Sequence, residues 1–450
     1  MSVALFDGFL SSPGMVAVFD DGAVLQAMFR FEEALAAAQA AHGVIPDSAA
    51  RAIAGVCKAP LYDLPALVQA GRRAGSLAIP LVKELTAAVA LYDAEAASFV
   101  HRGGTSQDVI DTAMALVTRE ALALLENDLE RLIDTLLALA ERHADTPVLA
   151  RTLMQPAQVS SFGLKAAQWA APLVRARRRL RAAAHDALQL QLGGAVGTRA
   201  ALGEHGAAIA RHMAGALGLG CPLASWHTQR DDWVRLGLEV AVLTGSLGKI
   251  ATDLALMAQG EVGELAEPAG AGRGGSSAMP HKRNPVAAMT ALAAGARTPH
   301  VAAALLGSMG QQHERGLGNW QAELAEWPAL FLSAHGALAA LADAFDGLEV
   351  DTGRMRTNID NLQGLVFAEA AAACLADTIG RPAAHARLEE LSRQALAEGV
   401  HLATLVAREP GAEPARVQAL FDPVAAAQPG ANLARALLAQ LRDAHKEDGP

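Results

Sequence analysis

Residues 272–285 read GRGGSSAMPHKRNP: glycines lead into Ser276 and Ser277, and His281, Lys282 and Arg283 follow. A hydroxyl beside fixed positive charge can lose or deliver a proton, provided cations and N–H donors stabilise the oxygen. Phosphate-loop chemistry fits poorly. Gly270, Gly272 and Gly275 satisfy G-x-G-x-x-G, but that fingerprint belongs between a strand and a helix, and the preceding ALMAQGEVGELAEP has helical composition.

Three further polar islands interrupt an apolar background. In HRGGTSQD, residues 101–108, Ser106 can cap a helix while Thr105 and Gln107 aim a hydroxyl and an amide at an anion above the helix tip; pure capping explains Ser106 equally well. RTLMQPAQ, residues 151–158, offers Thr152 and Gln155. QQHERGLGNW, residues 311–320, offers His313, Glu314 and Arg315, which as a charge cluster can also be plain solvated surface. His101, His227, His281 and His313 each have a structural reading beside the functional one.

These islands need long elements to position them. From Ser106 to Asp145 there is no glycine or proline, and Ile110, Met114, Val117, Ala121, Leu125, Leu129, Leu132 and Leu136 recur every three or four residues. This spacing predicts one helix of roughly 55–60 Å. Helices are also predicted over residues 23–42, 160–192 with a kink at Pro172, 231–264, 286–310 and 320–346. Each buries too little surface alone, so they should pack side by side in an elongated bundle. The turn signal DGLEVDTGRM near 346–355 marks a boundary before shorter helices.

With 52% hydrophobic and only 4% aromatic residues, the 450-residue chain favours an all-α fold over sheets. A net charge of −10 argues against a nucleic-acid footprint, so an anionic ligand must be held by individually placed residues. Cys57, Cys221 and Cys374 lie far apart, without metal-ligand spacing, and suggest a reduced compartment. The N-terminus has no basic, apolar leader, and no run approaches 18 uninterrupted apolar residues. The expectation is a soluble cytoplasmic protein with no metal, cofactor or membrane partner.

GSSAMPHKRNP at 275–285 matches the signature of the fumarase/aspartase superfamily, and HRGGTSQDVIDTA at 101–113 resembles its first shared region as found in adenylosuccinate lyases and their relatives. LFDGFLSSPGM at the start, IPLVKEL at 79–85, WHTQRD at 226–231 and QHERGLGNWQAEL at 312–324 extend the resemblance nearly end to end. The ensemble is most similar to the cycloisomerase branch.

The resemblance implies a helical N-terminal domain over 1–105, a central long-helix bundle over 106–350 carrying the catalytic loop 269–285, and a helical C-terminal domain over 351–450. It implies a homotetramer whose active sites each draw on three subunits, and a small tricarboxylate as substrate. Ser276 takes the family's catalytic position. Lys282 and Asn284 would grip the carboxylate that becomes an aci-acid, and Thr105, Ser106 and Gln107 its other end. His101, Thr152, Gln155 and Arg315 fall at further substrate-binding positions.

The chain departs from the superfamily pattern where relatives that expel an amine or hydroxide carry a histidine paired with a glutamate. It has Leu153 and Met289 there. A carboxylate, with a reference pKa of about 4, departs without the protonation those groups require, as in lactone opening. The cycloisomerase branch that the chain resembles also tends to carry QHA where this chain has Gln155, Pro156 and Ala157, so any role for a histidine there is lost. The alternatives are a lyase releasing fumarate from adenylosuccinate or a similar adduct, and a crystallin-like structural role, which would not require Ser276, Lys282 and Asn284 together.

Overall fold

The computed structural model describes residues 5–270, 274, 275, 279 and 282–447. The fold is all-α. The long helices run Asp21–Ala41, Ser106–Arg142, Phe162–Ala187, Asp231–Ala258, Val286–Gly307 and Asn319–Asp346. Among the described residues, the strands form two short antiparallel pairs: Pro147–Thr152 with Gln155–Ser161, and Leu265–Ala266 with Glu349–Val350.

Local chemistry explains several of the ends. The Asp20 side chain accepts the Gly22 N–H and caps Asp21–Ala41, whose chain turns away at Gly43 with a φ of 71°. All eight stripe positions of the Ser106–Arg142 helix are 7% exposed or less. Fully burying one such aliphatic side chain is worth about 1.5–3 kcal/mol. The helix predicted over 160–192 starts two residues later, because Ser160 and Ser161 pair with Val148 and Pro147 in the hairpin; it runs through Pro172.

The chain forms two compact units. The first comprises Met1–Leu129, Ala176–Gly248 and Thr290–Ala340. Its core includes Trp233 stacked on Trp327 at 4.1 Å, with Trp327 Nε1 donating to Thr118 Oγ1 at 2.8 Å. The second comprises Glu130–Arg175, Lys249–Met289 and Leu341–Pro450, and its C-terminal helices bury Leu375, Leu388, Leu391, Leu402 and Val406 in a cluster of their own.

Asp231–Ala258 and Asn319–Asp346 are long and apolar enough by length and composition to cross a membrane. The chain buries 72% of the most apolar stretch of Asn319–Asp346 but only 44% of that of Asp231–Ala258. On Asp231–Ala258 the exposed positions are mostly charged or small, and Val242 is the large apolar side chain left exposed.

Candidate active site

In the first unit the site is built on the N-terminal turn of the Ser106–Arg142 helix. The sequence predicts Ser106 as the cap, but the helix already begins at Ser106 and Thr105 occupies the capping position. Asp108, three residues on, returns Oδ2 to the Thr105 N–H at 3.1 Å, like the acidic member of a capping box. Arg315 donates from Nη1 to Thr105 Oγ1 at 2.7 Å and from Nη2 to Ser106 Oγ at 3.0 Å. A guanidinium and two hydroxyls thus converge on a helix start whose first N–H groups have no intrahelical acceptor, an arrangement suited to a carboxylate.

His101 lies just before this turn with a φ of 56°, and its Nδ1 is 2.7 Å from Glu32 Oε1. Burial opposes a charge on the ring, but Glu32, reinforced by Asp108, outweighs it and holds the His101 pKa above its ordinary value. Gln107 turns inward, although its position suggests an amide aimed at the ligand. It is buried, and Nε2 donates to the His227 carbonyl at 2.9 Å and to Asp111 Oδ2 at 3.1 Å. His313 is exposed, with a φ of 46°.

Beneath the tip lies a buried polar clamp that the sequence does not disclose. Asp108 Oδ1 lies 2.7 Å from His227 Nε2. One turn along, Asp111 accepts from Arg230 Nη1 at 3.0 Å, Gln191 Nε2 at 3.1 Å and Trp320 Nε1 at 2.9 Å. Arg230 also donates from Nε to Glu323 Oε2 at 3.1 Å, and its guanidinium lies 4.5 Å from the Trp226 ring centre. Burial pushes the Glu323 carboxyl above its usual range against the pull of Arg230. WHTQRD thus supplies a histidine and an arginine, three apart, to two aspartates also three apart.

In the second unit Thr152 pairs with Gln155 across a hairpin tip formed by Leu153 and Met154. Both tip residues are left-handed, with φ of 51° and 67°, a geometry that ordinarily selects Asn-Gly. Leu153 is 97% exposed and offers no titratable group; Met289 is also exposed. Arg151, one pair below the tip, anchors the hairpin through Glu264, with Nη2 to Oε1 at 2.8 Å and Nη1 to Oε2 at 3.1 Å. Pro156 stands opposite Arg151 beside an irregularity in the register.

Ser276, Ser277 and His281 lie outside the described residues. The neck of their loop is closed: the Asn284 N–H donates to the Gly274 carbonyl at 2.9 Å, and Gly275 bridges to Arg283. Arg283 forks onto Glu349 at 2.8 and 2.9 Å and donates to the Glu267 carbonyl at 2.6 Å. The Glu267 carboxylate accepts the Ala287 and Ala288 N–H groups, both at 3.0 Å, at the start of Val286–Gly307. Lys282 and Asn284 line a cavity of about 690 Å3 with Gln259, Glu267, Gly274 and Gly275.

The structure therefore gathers Thr105, Ser106 and Arg315 in the first unit. In the second it places Lys282 and Asn284 on one cavity wall and Thr152 beside Gln155 at the hairpin tip. Among the described residues no group of three or more His, Cys, Asp or Glu is arranged to hold a metal ion.

The family described as Lyase (Lyase_1) matches residues 11–297. The chain is 50% identical to the 3-carboxy-cis,cis-muconate cycloisomerase of Bradyrhizobium diazoefficiens, over 92% of this chain and 93% of that one. It is 47% identical to the enzyme of the same name from Pseudomonas aeruginosa, over 90% and 88%. The crystal structure of 3-carboxy-cis,cis-muconate lactonizing enzyme from Pseudomonas putida superposes with a TM-score of 0.92 at 41% identity, covering 99% of this chain and all of that one.

Proposed function

The chain belongs to the 3-carboxy-cis,cis-muconate cycloisomerase family of fumarase/aspartase-like lyases, and from that premise we propose that it closes 3-carboxy-cis,cis-muconate to a carboxymuconolactone in the protocatechuate branch of the β-ketoadipate pathway. One carboxylate of the substrate adds to the conjugated double bond and forms the ring C–O bond. The displaced electron pair is held as an aci-carboxylate, and the Ser276 hydroxyl delivers its proton to the adjacent carbon. No redox change occurs, and no cofactor enters the balance.

The residues divide the work by charge. Lys282 and Asn284 hold the carboxylate that carries the developing second negative charge, where a cation and an amide donor lower the barrier most. Thr105, Ser106, Arg315 and the helix start hold a second carboxylate, with His101 adding positive charge nearby. Thr152 and Gln155 supply neutral hydrogen bonds. Gln107 acts indirectly, by bracing the helix tip from inside.

Leu153 is the observation that carries the choice of reaction. An exposed aliphatic tip residue can neither donate nor accept a proton, and by the family resemblance it takes the place of the histidine in the acid relay of amine- and hydroxide-expelling relatives. A lactone carboxylate needs no such help to add or depart. Exposed Val242 on Asp231–Ala258, and exposed Leu292 and Leu306 on Val286–Gly307, are apolar side chains that assembly into a homotetramer with composite sites would cover.

The test is direct: loss of the ultraviolet absorbance of the conjugated muconate by purified protein without added cofactor, beside fumarate release from adenylosuccinate. The proposal expects the first activity. The second, without the first, would replace it with a lyase.

A further inference from the structure

Asp108 is hydrogen-bonded to capacity. An ionised carboxylate offers about four lone-pair sites. Oδ1 receives the Gly193 N–H at 2.9 Å and faces His227 Nε2 at 2.7 Å; Oδ2 receives the Gly194 N–H at 2.9 Å and the Thr105 N–H at 3.1 Å. Because the ionised carboxylate only accepts, Nε2 of His227 carries the proton of their bond. The other ring nitrogen, Nδ1, is buried and has no hydrogen-bond partner among the described residues. Close packing seats the ring: a Cβ on Gly193 would fall 2.9 Å from His227 Cε1 and 2.6 Å from Ser225 Cβ.

A ring wanted only for packing would be served better by an apolar side chain, which strands no nitrogen. The Nε2–H bond to Asp108 is what an apolar residue cannot supply. Without it Oδ1 loses one of two donors, and the carboxylate can turn about its Cβ–Cγ bond. The N–H groups of the first helical turn have no intrahelical acceptor, and a side chain at this position can reach them. Asp108 would then occupy the donors on which a substrate carboxylate depends, and it would release the Thr105 N–H.

We propose that His227 is a positioning residue: it locks Asp108 onto Thr105 and the Gly193–Gly194 turn, and so keeps an internal carboxylate out of the place reserved for a carboxylate of the substrate. This rests on the reading of the Thr105–Ser106–Arg315 tip as a substrate site.

The experiment compares His227→Gln, His227→Asn and His227→Leu in the full-length protein, with Thr105→Ala and Arg315→Met as references, in the muconate absorbance assay. The Gln amide nitrogen extends about as far as Nε2 and restores the donor; the shorter Asn amide and Leu do not. The expected result is a rise in KM of about tenfold or more for the Asn and Leu variants, with kcat changed by less than about threefold. Gln should return KM to within about threefold of the parent. Should the Leu variant not fold, the Gln–Asn pair carries the comparison. Equal KM for Gln and Asn, with thermal midpoints lowered alike, would reduce His227 to packing. A raised KM in both reference variants, beside an unchanged KM in His227→Asn, overturns the positioning role alone. Unchanged KM in both reference variants overturns the reading of the tip beneath it.

Discussion

A single guanidinium, that of Arg315, reaches Thr105 Oγ1 at 2.7 Å with one terminal nitrogen and Ser106 Oγ at 3.0 Å with the other. The fork fixes the spacing of two hydroxyls at a helix start and leaves the carrier permanently charged. Lysine offers a point charge on a flexible stem and cannot reproduce the fork. Arg315→Lys should therefore raise KM about tenfold, in line with the loss of one charge-assisted hydrogen bond, and leave the thermal midpoint near that of the parent. Steady-state kinetics beside a melting curve checks both.

Glu32 and His101 link stability to pH. Burial opposes the imidazolium, but Glu32 at 2.7 Å prevails and raises the His101 pKa above its ordinary 6.5. A raised folded-state pKa means the protonated ring contributes stability that is complete below pH 6.5 and is lost as the pH climbs through the folded value. The gap in thermal midpoint between the parent and Glu32→Gln should be widest below about pH 6 and narrow on the alkaline side. A gap that widens with rising pH would reverse the assignment.

Arg230 stands between two buried carboxylates, Asp111 and Glu323. Removing one partner from a buried ionic cluster leaves charge without compensation, at a cost of about 3–5 kcal/mol. Arg230→Met should lower the thermal midpoint sharply, and adding Glu323→Gln to it should recover part of the loss. Calorimetry of the single and double variants measures the difference.

Gly274 has a φ of 63°, and a Cβ there would sit 2.6 Å from the Asn284 carbonyl oxygen. Alanine adds about 1–2 kcal/mol of left-handed strain and pushes against the loop neck. Gly274→Ala should lower kcat more than it raises KM, because it displaces the approach to Ser276 without touching the helix tip. Equal kcat in the variant and the parent would separate the neck from the chemistry.

The long helices are legible in the sequence because their information is local: a stripe of eight apolar residues from Ile110 to Leu136 has one way to be buried, and Gly43 marks the end of the helix expected over 23–42, although its start, capped by Asp20, lies two residues earlier than expected. Thr105 and Ser106 are adjacent and both cap well, so pattern alone cannot choose between them. The hairpin is hidden because Leu153 and Met154 hold left-handed positions without the Asn-Gly signal that betrays such turns. The clamp is hidden for another reason. Asp108 and Asp111 near a helix start are already explained by the helix dipole, and their partners His227 and Arg230 lie 119 residues further along the chain. Gln107 reads as a ligand contact until that clamp supplies acceptors for its amide.

Proton NMR of 3-carboxy-cis,cis-muconate incubated with the purified protein in D2O, with chelator present and no cofactor added, tests the central claim most directly. The account predicts a carboxymuconolactone carrying one solvent deuteron on the carbon beside a carboxylate, formed orders of magnitude more slowly by Ser276→Ala. Unaltered muconate, or equally fast lactone formation by that variant, would contradict it.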